Sequence, residues 1–95
     1  MKKILVVGFM PYGYKEKLVN AYPNVLWFSD KEVGMSESAF ALIELVEMMD
    51  GVMFMDNYHR DRVGYEVACA MTKKTIYEKN EFSVEEPKKE DVDNA

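Results

Sequence analysis

Glu66 is the residue of this chain whose type and position best suit chemistry. It follows an apolar run typical of a buried strand, residues 51–55, and a polar loop, residues 56–62, and the pattern places it in the first turn of an apolar helix. A carboxylate is favoured there, because the unpaired N–H groups of a helix N-terminus carry partial positive charge. Open α/β sheets also bind ligands at the carboxyl ends of their strands. Glu66 is therefore either a helix-start residue or part of a site.

A second candidate for chemistry is the glycine-containing loop from Gly8 to Lys15. Its two glycines are spaced as in a P-loop, which requires lysine directly after the second glycine and then serine or threonine. Here Tyr14 intervenes and no hydroxyl residue follows Lys15, and the chain contains no G-x-G-x-x-G either. The glycines therefore either shape a tight turn or offer backbone to a ligand, and the sequence leaves both interpretations open.

The elements that must position these residues are short apolar runs alternating with helical patterns. The runs predict strands at residues 4–7, 24–28, 51–55 and 75–78, and the periodicity predicts helices at 15–22, from Ser36 or Ser38 to about Met49, and at 64–73. Because crossovers between parallel strands are right-handed, this order predicts an α/β three-layer sandwich, Rossmann- or flavodoxin-like, with a four-stranded parallel sheet in the order 2-1-3-4. The loops 8–14 and 56–62 should then meet across one crevice.

Charge is unevenly distributed along the 95 residues. Residues 81–95 contain six acidic residues, two lysines and Pro87, and they account for most of the net charge of −5. They lack a hydrophobic pattern, which is typical of a disordered, solubilising segment. We therefore expect a single α/β domain at residues 1–80, followed by an acidic disordered tail at residues 81–95.

Composition also bears on partners and location. Neither the domain nor the tail has the basic stripe expected of a protein that binds a nucleic-acid polymer. No stretch approaches the ~20 apolar residues that a membrane span needs. The single cysteine, Cys69, cannot form an internal disulfide, and we expect a cytoplasmic protein.

Cationic and aromatic residues are predicted to gather around the crevice. Arginine offers a planar fork of donors suited to phosphate, and aromatic faces stack on bases. The predicted ligand-binding residues are Gly8, Phe9, Met10, Tyr12, Asp56, Tyr58, His59, Arg60, Arg62 and Gly64, with Tyr14 and Tyr65 nearby. This set is typical of a nucleotide site, although Arg60 and Arg62 in a solvated loop could instead pair with Asp56 and Asp61. His59 has no second histidine or cysteine to complete a metal site, and we expect neither metal nor cofactor.

Asp56, at the end of the third strand, occupies the position of the phospho-acceptor in receiver domains. Those domains also need an acidic cluster after the first strand to hold magnesium, and Gly8 and Phe9 stand at that place. The chain also lacks a fifth strand. We therefore do not expect a receiver domain.

Residues 50–70 resemble the nucleoside 2-deoxyribosyltransferase superfamily, and most of all its 2′-deoxynucleoside 5′-phosphate N-hydrolases. The signature of these hydrolases, V-G-Y-E-L-G-R-A, is similar to Val63-Gly64-Tyr65-Glu66-Val67-Ala68-Cys69-Ala70. The resemblance implies that Glu66 is a nucleophile that attacks the anomeric carbon as the base departs. A carboxylate can form such a covalent glycosyl intermediate.

Two departures from the family bear on function. Where the family has a serine that holds the 5′-phosphate, this chain has Arg60, and Phe9 replaces the serine after the first glycine. We therefore expect capture or sensing of a nucleoside phosphate, or of an ADP-ribose or cyclic-nucleotide signal, as by small sequestering proteins of bacterial viruses. The alternative is turnover by Glu66, assisted by Tyr12, Asp56 or Asp61.

A third alternative is a protein-interaction module built on helix 36–49. The apolar positions of this helix exceed a single narrow stripe, so one face should pack on the sheet and the remainder could meet a partner subunit. We expect a homodimer or larger homo-oligomer.

Overall fold

The computed structural model describes residues 1–30, 39–56 and 62–84, and for residues 39–41 the backbone alone. Strands and helices alternate along the described chain, as the sequence predicts. They are β1 (Lys2–Val7), α1 (Tyr14–Ala21), β2 (Val25–Ser29), α2 (Ala39–Glu47), β3 (Gly51–Phe54), α3 (Arg62–Thr72), β4 (Thr75–Glu78) and a 3-10 helix (Lys79–Phe82). The predicted helix caps Ser36 and Ser38 lie outside the described residues.

The four strands form one parallel sheet in the order β2-β1-β3-β4, which confirms the predicted fold. In the central strand, Ile4 pairs with Trp27 of β2 on one side and with Gly51 of β3 on the other. Asp50 fixes this register at the amino edge, since its side chain accepts a hydrogen bond from the backbone N–H of Lys3 at 2.7 Å. The order reverses between β1 and β3, where open α/β sheets form their crevices.

Both faces of the sheet are covered, because alternate side chains of β1 and β3 point to opposite sides. One face packs under α2 and α3 through Leu5, Val7, Val52 and Phe54, together with Val46, Met49, Tyr65, Ala68 and Cys69 of the helical side. The other face packs under α1 through Ile4, Val6 and Met53, together with Tyr14, Leu18, Trp27 and Met55. The continuous apolar runs of the central strands follow from this double burial.

The start of α3 differs from the sequence prediction. Arg62, predicted in the preceding loop, is already helical, and the first turn contains no acidic residue. The prediction that Glu66 lies in the first turn is therefore wrong, because Glu66 is the fifth residue of the described helix. The side chain of Arg62 also bonds Glu78 of the neighbouring strand β4, a contact that a local pattern does not reveal.

The end of the described chain packs against the α1 face of the sheet. After β4, the backbone N–H of Glu78 donates to the Glu81 carboxylate at 2.7 Å, which caps the 3-10 helix. Phe82 then reaches the core face that contains Trp27, and Val84 lies against the same core. Residues 81–84, expected in the acidic tail, thus include packed side chains. None of the helices described is long and apolar enough to cross a membrane.

Candidate functional site

The loops after β1 and β3 meet at the carboxyl edge of the sheet, as the strand order predicts. Gly8 has a φ of +116°, and a Cβ at this position would lie 3.1 Å from Met55 Cβ and 3.6 Å from a carboxylate oxygen of Asp56. The backbone N–H of Met55 donates to Val7 at 3.0 Å. Glycine is required at position 8 because both the backbone angle and the neighbouring side chain disfavour a larger residue.

A cleft of about 710 Å³ opens beside this junction, on the α1 side of the sheet. The loop between β1 and α1 forms one wall, the exposed side of α1 forms the other, and the end of β2 closes it. Its lining residues are Gly8, Phe9, Met10, Pro11, Gly13, Lys15, Glu16, Val19, Asn20 and Ser29. Its volume falls within the range of roughly 300–1,000 Å³ typical of small-molecule pockets.

The cleft combines apolar surface with a few polar groups. The ring of Phe9 is 68% exposed, while the hydroxyl-bearing Ser29 is buried at the end of β2. Lys15 and Glu16 lie in the first turn of α1, where Gly13, with a φ of 83°, precedes the helix without a side-chain cap. Backbone N–H groups at a helix start attract anions. The arrangement suits a ligand with a flat apolar part and an anionic group.

Three of the predicted ligand residues, Gly8, Phe9 and Met10, line the cleft. Tyr12 lies in the same loop and is almost fully exposed, but it is not one of the lining residues. Asp56 is not one of the lining residues, although its carboxylate lies near Gly8. The β1–α1 loop is thus the part of the predicted site that the structure assembles into a cavity.

Arg62 is engaged in contacts within the fold. Its Nη2 atom donates to the Glu78 carboxylate at 2.6 Å, and its Nε lies 3.5 Å from the Glu66 carboxylate. The guanidinium carbon stands 4.3 Å from the centre of the Phe54 ring. The hydrogen bond to Glu78 raises the pKa of Arg62, an effect that burial partly offsets. Arg62 therefore links α3 to β4, and it does not line the cleft.

Glu66 lies on α3, on the opposite face of the sheet from α1. Its side chain is about half exposed and pairs with Arg62, and it is not among the described residues that line the cleft. Burial raises the pKa of the neighbouring Cys69 thiol, and the carboxylate of Glu66 adds to that shift. A Cβ on Gly64 would come within 3.0 Å of a Leu42 methyl group. Gly64 thus permits the close approach of α2 and α3.

Some predicted site residues lie outside the described part of the chain, and some residues that line the cleft were not predicted. Tyr58, His59, Arg60 and Asp61 fall outside the described residues. Sequence reasoning missed Glu16, Val19, Asn20 and Ser29, and it did not predict Pro11, Gly13 or Lys15 of the glycine-containing loop as ligand residues. The signals were present: Ser29 is a polar residue at the carboxyl end of β2, and Glu16, Val19 and Asn20 have the i, i+3, i+4 spacing of one helix face.

Within the residues that the structure describes, no group of three or more His, Cys, Asp or Glu side chains could hold a metal ion. Comparisons with protein-family models, curated proteins and solved structures find no match for this chain. Function must therefore be argued from the cleft itself.

Proposed function

We propose that the protein binds a small nucleotide in the cleft between the β1–α1 loop, α1 and Ser29, and that it captures or senses this ligand. The observation that carries the proposal is the position of the cleft, which opens at the carboxyl edge of a parallel sheet and includes Gly8, the residue that lies beside Met55 after β3. Ligands of open α/β sheets bind at such points.

The groups that line the cleft match the parts of a nucleotide. The exposed ring of Phe9 offers a flat face on which a base can stack. Lys15, at the start of α1, supplies positive charge for a phosphate close to the backbone N–H groups of that helix. Ser29 can donate or accept a hydrogen bond at the end of β2. The same inventory fits a nucleoside phosphate and an ADP-ribose-like signal.

Capture is favoured over turnover because the acid groups are separated. Glycoside cleavage uses two carboxyl groups that flank the scissile bond. Among the described residues that line the cleft, Glu16 is the one carboxylate, and the family-like Glu66 lies on the other face of the sheet. On this proposal the similarity to the deoxyribosyltransferase superfamily reflects ancestry of the fold and not its reaction.

The same proposal places the protein in the cytoplasm, where nucleotide signals occur and where a single reduced cysteine is stable. A sequestering protein of this kind acts by stoichiometric binding, as small proteins of bacterial viruses do. It therefore needs affinity for its ligand but no catalytic partner for Glu66.

The proposal is tested by incubating the purified protein with deoxynucleotides, ribonucleotides, NAD-derived and cyclic nucleotides, with chromatography before and after heat denaturation. We expect one nucleotide to disappear from the free pool and to return intact after heating. Free base among the products would instead establish an N-glycosidase and make Glu66→Gln the next variant. Nucleotides that all stay free would refute binding.

Two pairs of variants locate the site. Lys15→Gln should weaken binding by about tenfold or more, the usual effect of losing a charge-assisted hydrogen bond. Lys17→Gln is its matched control, since Lys17 is on the same helix but does not line the cleft. Phe9→Ala should also weaken binding about tenfold through lost stacking, whereas Phe9→Tyr should retain it. Equal affinity of Lys15→Gln and Lys17→Gln would contradict the proposed site.

A further inference from the structure

The charges that line the proposed cleft are balanced. Among the described residues of its lining, Lys15 is the one cation and Glu16 the one anion, and the two are neighbours in the first turn of α1. Two other lysines near α1, Lys17 and Lys79, do not line the cleft. The ammonium group of Lys79 stands instead 5.8 Å from the centre of the Tyr14 ring. The described lining side chains thus supply no net positive charge.

Two more acidic residues flank the β1–α1 loop. On the β2 side, the backbone N–H of Asp30 donates to Val6 at 3.0 Å, which places Asp30 beside the end of β1 and directly after Ser29 of the cleft. On the β3 side, a carboxylate oxygen of Asp56 lies 3.6 Å from the position of a Cβ on Gly8. Neither acidic residue lines the cleft, but negative charge at its border acts against a highly charged anion.

The backbone contributes a limited amount of positive charge. The N-terminus of a helix acts as about half an elementary charge, through N–H groups that can hold one phosphate. Together with Lys15 and Glu16, this partial charge gives the cleft about +0.5 in total. A phosphodiester carries a single negative charge, whereas a phosphate monoester carries about −1.5 to −2 near neutral pH and a triphosphate carries more. The charge of the cleft therefore suits the diester best.

We infer that the cleft selects a nucleotide whose phosphate is a singly charged diester, the chemistry of a cyclic nucleotide, and that Glu16 disfavours more highly charged phosphates. The inference rests on the proposed function, because it names the class of nucleotide that the same cleft binds. It ranks nucleoside triphosphates last among the ligands of any one base.

The position of Glu16 suits it to this discrimination. It directly follows Lys15 on the side of α1 that lines the cleft, and consecutive Cα atoms are about 3.8 Å apart. A phosphate held by Lys15 is therefore within reach of the Glu16 charge, because charges interact over about 8 Å at physiological salt. Since the Glu16 side chain is exposed, the repulsion is screened. We expect it to weaken binding about two- to threefold for each negative charge added to the ligand.

Isothermal titration calorimetry with ligands that differ in charge tests the inference. For each base, the 3′,5′-cyclic monophosphate, the 5′-monophosphate, the methyl ester of that monophosphate and the 5′-triphosphate are titrated into the full chain, at about 0.15 M salt with a chelator. The methyl ester is the matched control of the monophosphate, since it differs by one methyl group and carries a single charge. The two diesters distinguish a cyclic from an open-chain source of the same chemistry.

The expected affinities follow the charge of the phosphate. For the base that binds, at least one diester should bind two- to threefold or more tightly than the monophosphate, and about tenfold more tightly than the triphosphate. Raising the salt concentration should narrow these ratios, because it screens the repulsion. Magnesium in place of the chelator should also narrow them, since the ion neutralises part of the charge of the triphosphate.

A pair of variants tests the role of Glu16. Glu16→Gln removes the charge but keeps the size of the side chain. It should reduce the advantage of the diester over the triphosphate from about tenfold to about threefold, mainly by strengthening triphosphate binding. Glu47→Gln makes the same change in net charge at an exposed position of α2, on the other face of the sheet. This control should keep the wild-type ratio.

Three results would overturn the inference and leave nucleotide binding intact. They are a triphosphate that binds most tightly, a monophosphate that binds more tightly than both diesters, and a Glu16→Gln variant whose ratio equals that of Glu47→Gln. If none of the ligands binds for any base, the proposed function itself fails and the inference falls with it. The two failures are therefore distinguishable in the same set of titrations.

Discussion

Phe82→Ala tests whether the segment after β4 belongs to the fold. The Phe82 ring meets Tyr22, Trp27 and Tyr77 edge to face, each with a centroid distance of 5.1 Å. The contact is reinforced by the Tyr22 hydroxyl, which donates to the Ser83 carbonyl at 3.0 Å. Removing the ring therefore detaches the 3-10 helix from the α1 face of the sheet.

The size of the effect follows from partial burial. Phe→Ala at a fully buried position costs about 3–5 kcal/mol, and Phe82 is partly buried. About half of that value, together with the lost ring pairs, gives an expected decrease of about 2–3 kcal/mol in the free energy of unfolding. A domain of this size has about 5–10 kcal/mol in total, so the variant should still fold.

Urea denaturation followed by far-ultraviolet circular dichroism measures this decrease. Phe9→Ala is the control, because Phe9 is 68% exposed, and its loss should lower the free energy of unfolding by less than the loss of the partly buried Phe82 does. Phe82→Leu keeps apolar volume and should lose only about 1 kcal/mol. If Phe82→Ala is as stable as Phe9→Ala, the ring cluster does not stabilise the fold.

Four further predictions follow from single residues or pairs of residues. Lys73 has a φ of 60° at the end of α3, a backbone angle that is strained for lysine but not for glycine. Lys73→Gly should therefore raise the free energy of unfolding by about 1 kcal/mol in the same assay. A decrease would show that the backbone is not strained at this position. The buried Cys69 thiol should react with a thiol reagent only as the protein unfolds, and rapid labelling would show that it is accessible. Because burial raises its folded pKa, stability should also fall as pH rises above the ordinary thiol value, a trend that Cys69→Ala removes. A double-mutant cycle with Arg62→Met and Glu78→Gln should give a coupling of about 1 kcal/mol that decreases with salt, and zero coupling would show that their pair is not stabilising.

The sheet was predictable because its signals are local. The continuous run Ile4-Leu5-Val6-Val7 indicates a strand covered on both faces, and right-handed crossovers then leave one economical strand order. That order alone predicts that the loops after β1 and β3 meet, and the backbone N–H of Met55 donates to Val7 there.

What the sequence did not predict depends on contacts between distant residues. Arg62 bonds Glu78, 16 positions away, and a window of local sequence does not contain that pair. The periodicity of an apolar helix likewise does not say which side faces the sheet.

The cleft could not be predicted from the sequence for a related reason: its lining residues are brought together by the tertiary structure. Ser29 closes it only because β2 lies beside β1 and ends at the same edge. Phe82 was expected in a tail because its neighbours are acidic, whereas its ring partners are far away in the chain. Composition describes the segment as a whole and does not reveal one anchoring side chain.

The most direct test of the proposed function is a nuclear magnetic resonance titration of ¹⁵N-labelled protein with each nucleotide of the panel. We expect the bound nucleotide to shift the amide resonances of Gly8, Gly13 and Ser29, which line the cleft, and to leave the amide resonance of Glu66 unchanged. Shifts centred on Glu66 would move the site to the other face of the sheet and favour the glycosidase. The absence of any shift at millimolar nucleotide would contradict nucleotide binding altogether.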